Sequence, residues 1–91
     1  MVKPGLEKLS DLLEGLSEFV MHIKGGKPLE RTEIRQAQAK ADIIYTEMRK
    51  RQDLLGRNNS TQIQVWLSRV VAGDTSAPKY YQMCKEKIES I

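Results

Sequence analysis

The chain has 91 residues, of which 40% are hydrophobic and 30% charged, and its formal net charge is +3 at pH 7. This composition is typical of one folded domain with a modest core and excludes a disordered chain. No apolar run approaches the roughly 20 residues that span a bilayer, and charged residues interrupt the N-terminal stretch, so we expect neither a membrane contact nor a signal peptide. The single cysteine, Cys84, cannot form an internal disulfide, which favours a reducing compartment and a cytoplasmic location.

Residues 6–23 form the first predicted helix. Its apolar side chains recur at steps of three and four, which places them on one face. They are Leu6, Leu9, Leu13, Leu16, Val20 and Ile23. Gly25 and Gly26 are typical of a helix C-terminus, and Pro28 opens the segment that follows.

The second predicted helix is long, from Leu29 to Leu55. A seam with three-four spacing runs along it, comprising Ile34, Ala37, Ala41, Ile44, Met48, Arg51 and Leu55. The small Ala37 and Ala41 allow a partner helix to approach closely, although coiled coils usually carry larger residues at such positions. The seam therefore predicts a bundle helix, with self-association through residues 34–55 as the alternative.

Positive charge collects near the end of this helix. Residues 27–57 carry eight basic and five acidic side chains, a local surplus of three. We expect Arg49, Lys50, Arg51 and Arg57 to contact a partner protein with an acidic surface. The alternative is a solvated helix end, where basic residues favour the negative pole of the helix dipole.

Residues 56–59 have the composition of a turn, and Asn59 or Ser60 is predicted to cap a third helix over 61–72 that ends before Gly73. Ile63, Trp66 and Val70 are predicted core residues of this helix, with Trp66 mostly buried against the first and second helices. A loop at residues 74–77 then leads to a fourth helix with Pro78 in its first turn.

The fourth helix aligns four side chains on one face, namely Tyr81, Cys84, Ile88 and Ile91. No segment alternates with period two, as a half-buried strand would. The sequence therefore predicts an all-α fold, in which residues 1–91 form a single domain, a compact bundle of about four helices of unequal length with breaks at residues 25–26, 56–59 and 73–76.

The stretch TQIQVW, Thr61 to Trp66, resembles the recognition helix of small helix-turn-helix regulators of the phage-repressor type, and LLG at 54–56 resembles the end of the preceding helix. The resemblance implies DNA contacts by Ser60, Thr61, Gln62, Gln64 and Arg69. It covers about 20 residues. The turn is one residue longer than the family pattern, and Arg57 stands where an apolar residue normally joins the two helices.

Catalytic and metal chemistry have little basis in this sequence. His22 and Cys84 are each the only residue of their type, so no His/Cys metal site is predicted, and no cofactor motif is present. The carboxylates of the first helix are spaced for a solvated face rather than for a paired acid and base. We therefore expect a non-enzymatic protein that acts by stoichiometric contact with another protein, as an inhibitor, adaptor or assembly subunit, a type common among phage and viral proteins. The alternative is a DNA-binding regulator that uses helix 60–72.

Overall fold

The computed structural model describes residues 2–91, and within that range it contains six α-helices and no strand. The helices are α1 (Glu7–Glu14), α2 (Ser17–Lys24), α3 (Arg31–Lys50), α4 (Gln52–Leu55), α5 (Arg57–Val71) and α6 (Ala77–Ser90). Helix makes up 77% of the structure, which confirms the all-α prediction.

The first and second predicted helices are each interrupted once. At Gly15 the backbone N–H bonds to the Leu12 carbonyl at 3.1 Å, and Leu16 bonds in the same three-residue pattern to Leu13, which tightens the turn and separates α1 from α2. At Arg51 the backbone N–H is shared between the carbonyls of Glu47 and Met48, and the chain then resumes as the single turn α4. The first and second predicted helices are thus each divided in two, whereas the third and fourth are continuous.

The predicted start of the third helix is wrong by four residues. Gly56 adopts φ 81° and ψ 154°, a conformation that is almost exclusive to glycine, so this single residue makes the turn predicted to span residues 56–59. α5 begins directly at Arg57. Asn59 is therefore not a cap; its side-chain amide donates to the Leu55 carbonyl at 2.8 Å, and Ser60 lies buried within the helix.

The predicted breaks at residues 25–26 and 73–76 are confirmed, although the second helix begins at Arg31 rather than at Leu29. Gly26 and Gly73 have φ of 83° and 76°, the positive values expected where a helix stops. Pro78 lies in the first turn of α6, and the Asp74 carboxylate accepts a hydrogen bond from the Ser76 backbone N–H at 2.9 Å in the loop before it. Across the gap between α2 and α3, His22 Nδ1 lies 2.8 Å from Glu33 Oε2.

The helices close into one bundle of 37 × 20 × 19 Å. α1 packs on α3 and α6, α3 on α5, α5 on α6, and α2 on α6, so each apolar stripe meets a neighbour within the chain. The largest fully buried side chains are mostly leucines and isoleucines, with Met48 and Cys84. Each such aliphatic side chain contributes about 1.5–3 kcal/mol on burial, so the core rests on aliphatic packing rather than on aromatic residues.

The seam of the second predicted helix faces this core. Five of its seven members are buried, namely Ala37, Ala41, Ile44, Met48 and Leu55. The small alanines lie where α3 is packed on its neighbours, as their size indicates. Self-association through residues 34–55 would therefore have to displace the chain's own helices. No helix among residues 2–91 combines the length and the apolar character needed to cross a membrane.

Candidate functional site

The basic run at the end of α3 is divided between two sides of the helix. Consecutive helical residues point about 100° apart, so Arg49 and Lys50 cannot share a face. Arg49 lines a groove between α3 and α5, whereas Lys50 lines a smaller groove between α1 and α3. The four predicted partner-contacting residues therefore do not form one patch.

Arg51 serves the structure of the bundle itself. Its Nε lies 3.1 Å from Oε2 of Glu47, which is only 3% exposed, and Lys8 Nζ approaches the same carboxylate at 3.9 Å. A buried carboxylate without such partners is strongly unfavourable. The pair with Arg51 joins consecutive turns at the end of α3, and the longer contact from Lys8 comes from α1. Arg51 thus already pairs with a carboxylate of its own helix, which leaves its charge less available to an acidic partner.

The groove between α3 and α5 has a volume of about 440 Å³. It is lined by Tyr45 and Arg49 from α3 and by Gln64, Val65 and Ser68 from α5. The Tyr45 hydroxyl reaches the Gln64 carbonyl at 3.5 Å, a long hydrogen bond that links the two helices. Burial, followed by the charges of Cys84 and Asp42, raises the pKa of Tyr45, so its hydroxyl is a neutral donor at physiological pH.

Val65 is the most exposed apolar side chain of this groove. It is 52% exposed, although an aliphatic residue contributes to stability only when it is buried. Helical geometry explains the position, because Ile63, Leu67 and Val70 define the buried face of α5 and Val65 lies on the opposite side. The groove therefore presents an apolar contact that the fold does not use.

Arg49 supplies the groove with a positive charge. Its guanidinium donates one hydrogen bond, from Nη2 to the Thr46 hydroxyl at 3.4 Å, and it forms no ion pair with any of residues 2–91. Arg57 is also exposed and has no acidic partner within the same range. Most donors of both guanidinium groups remain available to a carboxylate.

Arg57 belongs to the same side of α5 as the groove. From Arg57 the steps of four, three and four lead to Thr61, Gln64 and Ser68, which places the four residues in one stripe. Thr61 and Gln64 are exposed, as the DNA-binding hypothesis required. The structure thus joins two residues predicted for a protein partner, Arg49 and Arg57, with two predicted for DNA.

The remaining DNA-binding candidates lie elsewhere. Ser60 is 4% exposed and turned into the core, so it cannot contact a base or a phosphate. Gln62 and Arg69 are exposed on a neighbouring side of α5, away from Gln64. The five residues predicted to contact DNA therefore do not converge on one surface.

Trp66 is half-buried and lies at the border of the core, not inside it. Its neighbours in a shallow groove come from α6, among them Met83 and Lys87, and Lys87 Nζ lies 5.8 Å from the centre of the indole ring. The prediction that Trp66 packs against the first and second helices is wrong, whereas most of its surface is buried as predicted. Trp66 lies on the side of α5 that faces α6, the helix on which α5 packs most extensively.

Three residues of the groove, Tyr45, Val65 and Ser68, were absent from the sequence-based site. For Val65 a signal existed, because its spacing from Ile63 and Leu67 excludes it from their face. For Tyr45 no such signal existed, since only the packing of α5 beside α3 brings the two helices together.

Comparison with protein-family models, with curated proteins and with solved structures gave no significant match to this chain. The site is therefore interpreted from its own residues.

Proposed function

We propose that this protein is a small non-enzymatic binding module that acts by stoichiometric contact with an acidic surface of another protein. The contact surface is the groove between α3 and α5, with Arg49 and Arg57 at its polar edge and Tyr45 and Val65 as its apolar part. The observation that carries the proposal is the exposed Val65 beside Arg49, whose charge has no acidic partner among residues 2–91.

Protein interfaces favour this combination of groups. Arginine and tyrosine are enriched in the central parts of interfaces. A tyrosine ring gives much contact area for few rotatable bonds, and a planar guanidinium presents several donors in a fixed arrangement that matches a carboxylate. An adjoining aliphatic residue adds apolar area that leaves water when the partner binds. The module needs no cofactor for this role and suits an inhibitor, adaptor or assembly subunit of phage or viral type.

The alternative proposal, a regulator that contacts DNA through helix 60–72, has less support. A groove-reading helix needs its polar side chains together on one exposed side. Ser60 is buried, and Gln62 and Arg69 lie on a neighbouring side of α5, away from Gln64. The exposed Val65 is also better suited to an apolar partner group than to the phosphate contacts that dominate DNA affinity.

Affinity capture from a lysate of the source organism tests the proposal. Wild-type protein, Arg49→Glu and Val65→Asp would be immobilised in equal amounts, with Arg31→Glu and Ile43→Asp as controls. Arg31 is an exposed arginine in the first turn of the same helix, and Ile43 is 54% exposed but lies in the groove between α1 and α3. We expect wild type and both controls to capture the same partner protein. Arg49→Glu and Val65→Asp should fail to capture it. Equal capture by all five proteins would contradict the proposal.

A further inference from the structure

The geometry of the groove points to the form of its occupant. Resting on the proposed function, we infer that the groove binds one amphipathic helix of the partner, which carries an apolar side chain followed by carboxylates one and two turns away. The apolar side chain lies over Val65 and Tyr45, and the two carboxylates face Arg49 and Arg57. Three observations carry this inference: the shape of the groove, the spacing of its groups and its charge.

The shape of the groove fits a helix. Its walls are α3 and α5, which lie side by side because residues 51–56 return the chain along α3 and bring Tyr45 to Gln64. The stripe from Arg57 to Ser68 spans eleven residue steps, or about 16 Å at the rise of an α-helix. Three turns of a partner helix have that length, and residues 2–91 offer no strand edge on which an extended peptide could pair.

The spacing of the groups follows the pitch of a helix. Tyr45 lies at the level of Gln64, and Val65 adjoins them, one turn before the stripe ends at Ser68. Arg49 is one turn further along α3, about 6 Å away, and Arg57 is two turns from Val65 along α5, about 12 Å away. A helix that carries an apolar residue at i and carboxylates at i+4 and i+8 has the same intervals on one face, in either chain direction.

The charge of the groove selects carboxylates. Neither Arg49 nor Arg57 has an acidic partner within residues 2–91, and guanidinium groups bind carboxylates in two-bond geometry. The negative charge of Asp42, in the middle of α3, contributes to the raised pKa of Tyr45. The same charge repels carboxylates, so the carboxylates of the occupant should lie towards Arg49 rather than towards the middle of α3. Thr61 and Gln64, exposed between the two arginines, offer further hydrogen bonds to polar side chains of the occupant.

Designed peptides test this inference without knowledge of the natural partner. The probe is an 18-residue helical peptide of alanine and glutamine with leucine at i and glutamate at i+4 and i+8, made in both chain directions. An isomer of the same composition carries its glutamates at i+2 and i+6, on the far side of the helix. Binding would be followed by fluorescence anisotropy of labelled peptide and by backbone amide chemical shifts of the protein.

We expect the matched peptide to bind about fivefold more tightly than its isomer, since two partly exposed ion pairs have modest strength. The amide shifts should lie around Tyr45, Val65 and Arg57. The variant Arg49→Glu/Arg57→Glu should lose this preference and should instead prefer a peptide with lysines at i+4 and i+8. Ile43→Asp should bind as wild type does.

Equal binding of the two isomers, shifts outside the groove, or no binding of either peptide would overturn the inference. Duplex DNA provides the last comparison. Salt-sensitive binding of a 20-base-pair duplex that Arg49→Glu abolishes would assign the groove to nucleic acid instead. The peptide experiment and the capture experiment can fail independently. If neither peptide binds but Val65→Asp still loses the captured partner, the helical occupant is wrong and the proposed function is supported.

Discussion

The two faces of α5 differ in burial. The inner face carries Ile63, Leu67 and Val70, all of them buried between α3 and α6. The outer face carries Gln64 and Val65, which are exposed in the groove. Neighbouring residues of one helix therefore differ in burial. Under the proposed function, substitutions one or two positions apart should affect either stability or partner binding.

The inner face has few polar groups. The Cys84 thiol of α6 reaches the Ile63 carbonyl at 3.9 Å, a weak contact. On the side of α6 that faces α2, the buried Tyr81 hydroxyl finds no hydrogen-bond partner within residues 2–91. Both groups lie in surroundings that disfavour a negative charge. Burial raises the pKa of each to about 12, with the charge of Glu14 next in importance for Tyr81. Apolar packing thus dominates this side of α5.

The largest expected effect is that of Leu67→Ala. Leu67 is completely buried, so its removal leaves a cavity at the centre of the inner face. We expect a loss of about 2–5 kcal/mol in the free energy of unfolding, which would leave a domain of this size marginally folded. Urea denaturation followed by circular dichroism measures the loss. A change below 1 kcal/mol would show that α5 does not pack as described.

A smaller effect is expected for Trp66→Ala, at the border between the two faces. The indole is half-buried and contacts α6, so the cost should be roughly 2 kcal/mol, below the 3–5 kcal/mol typical of a fully buried tryptophan. Trp66 is the single tryptophan, and its fluorescence should report partial solvent exposure in the native wild type. An emission maximum typical of a dry interior would contradict this placement.

The sequence predicted the inner face better than the outer one. Ile63 and Val70 were assigned to the core from their spacing, because burial follows helical periodicity whatever the tertiary arrangement. The start of α5 was missed, since a single residue, Gly56, made the turn for which four polar residues had seemed necessary. Only the docking of α3 beside α5 places Arg49 near Val65, and no local pattern encodes that contact. The periodicity of one segment thus predicts which of its residues are buried. A site formed by two helices can be located only once their packing is known.

Alkaline pH should weaken the inner face. Cys84 has an ordinary pKa of 9.0 when unfolded and about 12 in the fold, so its contribution to stability is complete below pH 9 and is lost as the pH rises towards 12. We expect a decrease on the order of 1 kcal/mol between pH 8 and pH 10. Cys84→Ala should flatten this slope in urea denaturation curves. An equal slope in the two proteins would mean that the thiol ionises in the fold as readily as in the unfolded chain.

The smallest effect on stability, and the most informative one for function, is expected from Val65→Asp on the outer face. Valine and aspartate have similar helix propensities, and an exposed site away from the core tolerates substitution within about 0.5 kcal/mol. The melting temperature should therefore change by no more than about 4 °C, as it should for the control Ile43→Asp. Capture of the partner should nevertheless fail with Val65→Asp and persist with Ile43→Asp, because a charge in the apolar part of the groove must be desolvated when the partner binds. A large fall in melting temperature would place Val65 in the core and remove it from the site. Unchanged stability together with unchanged capture would leave the outer face of α5 without a role in binding.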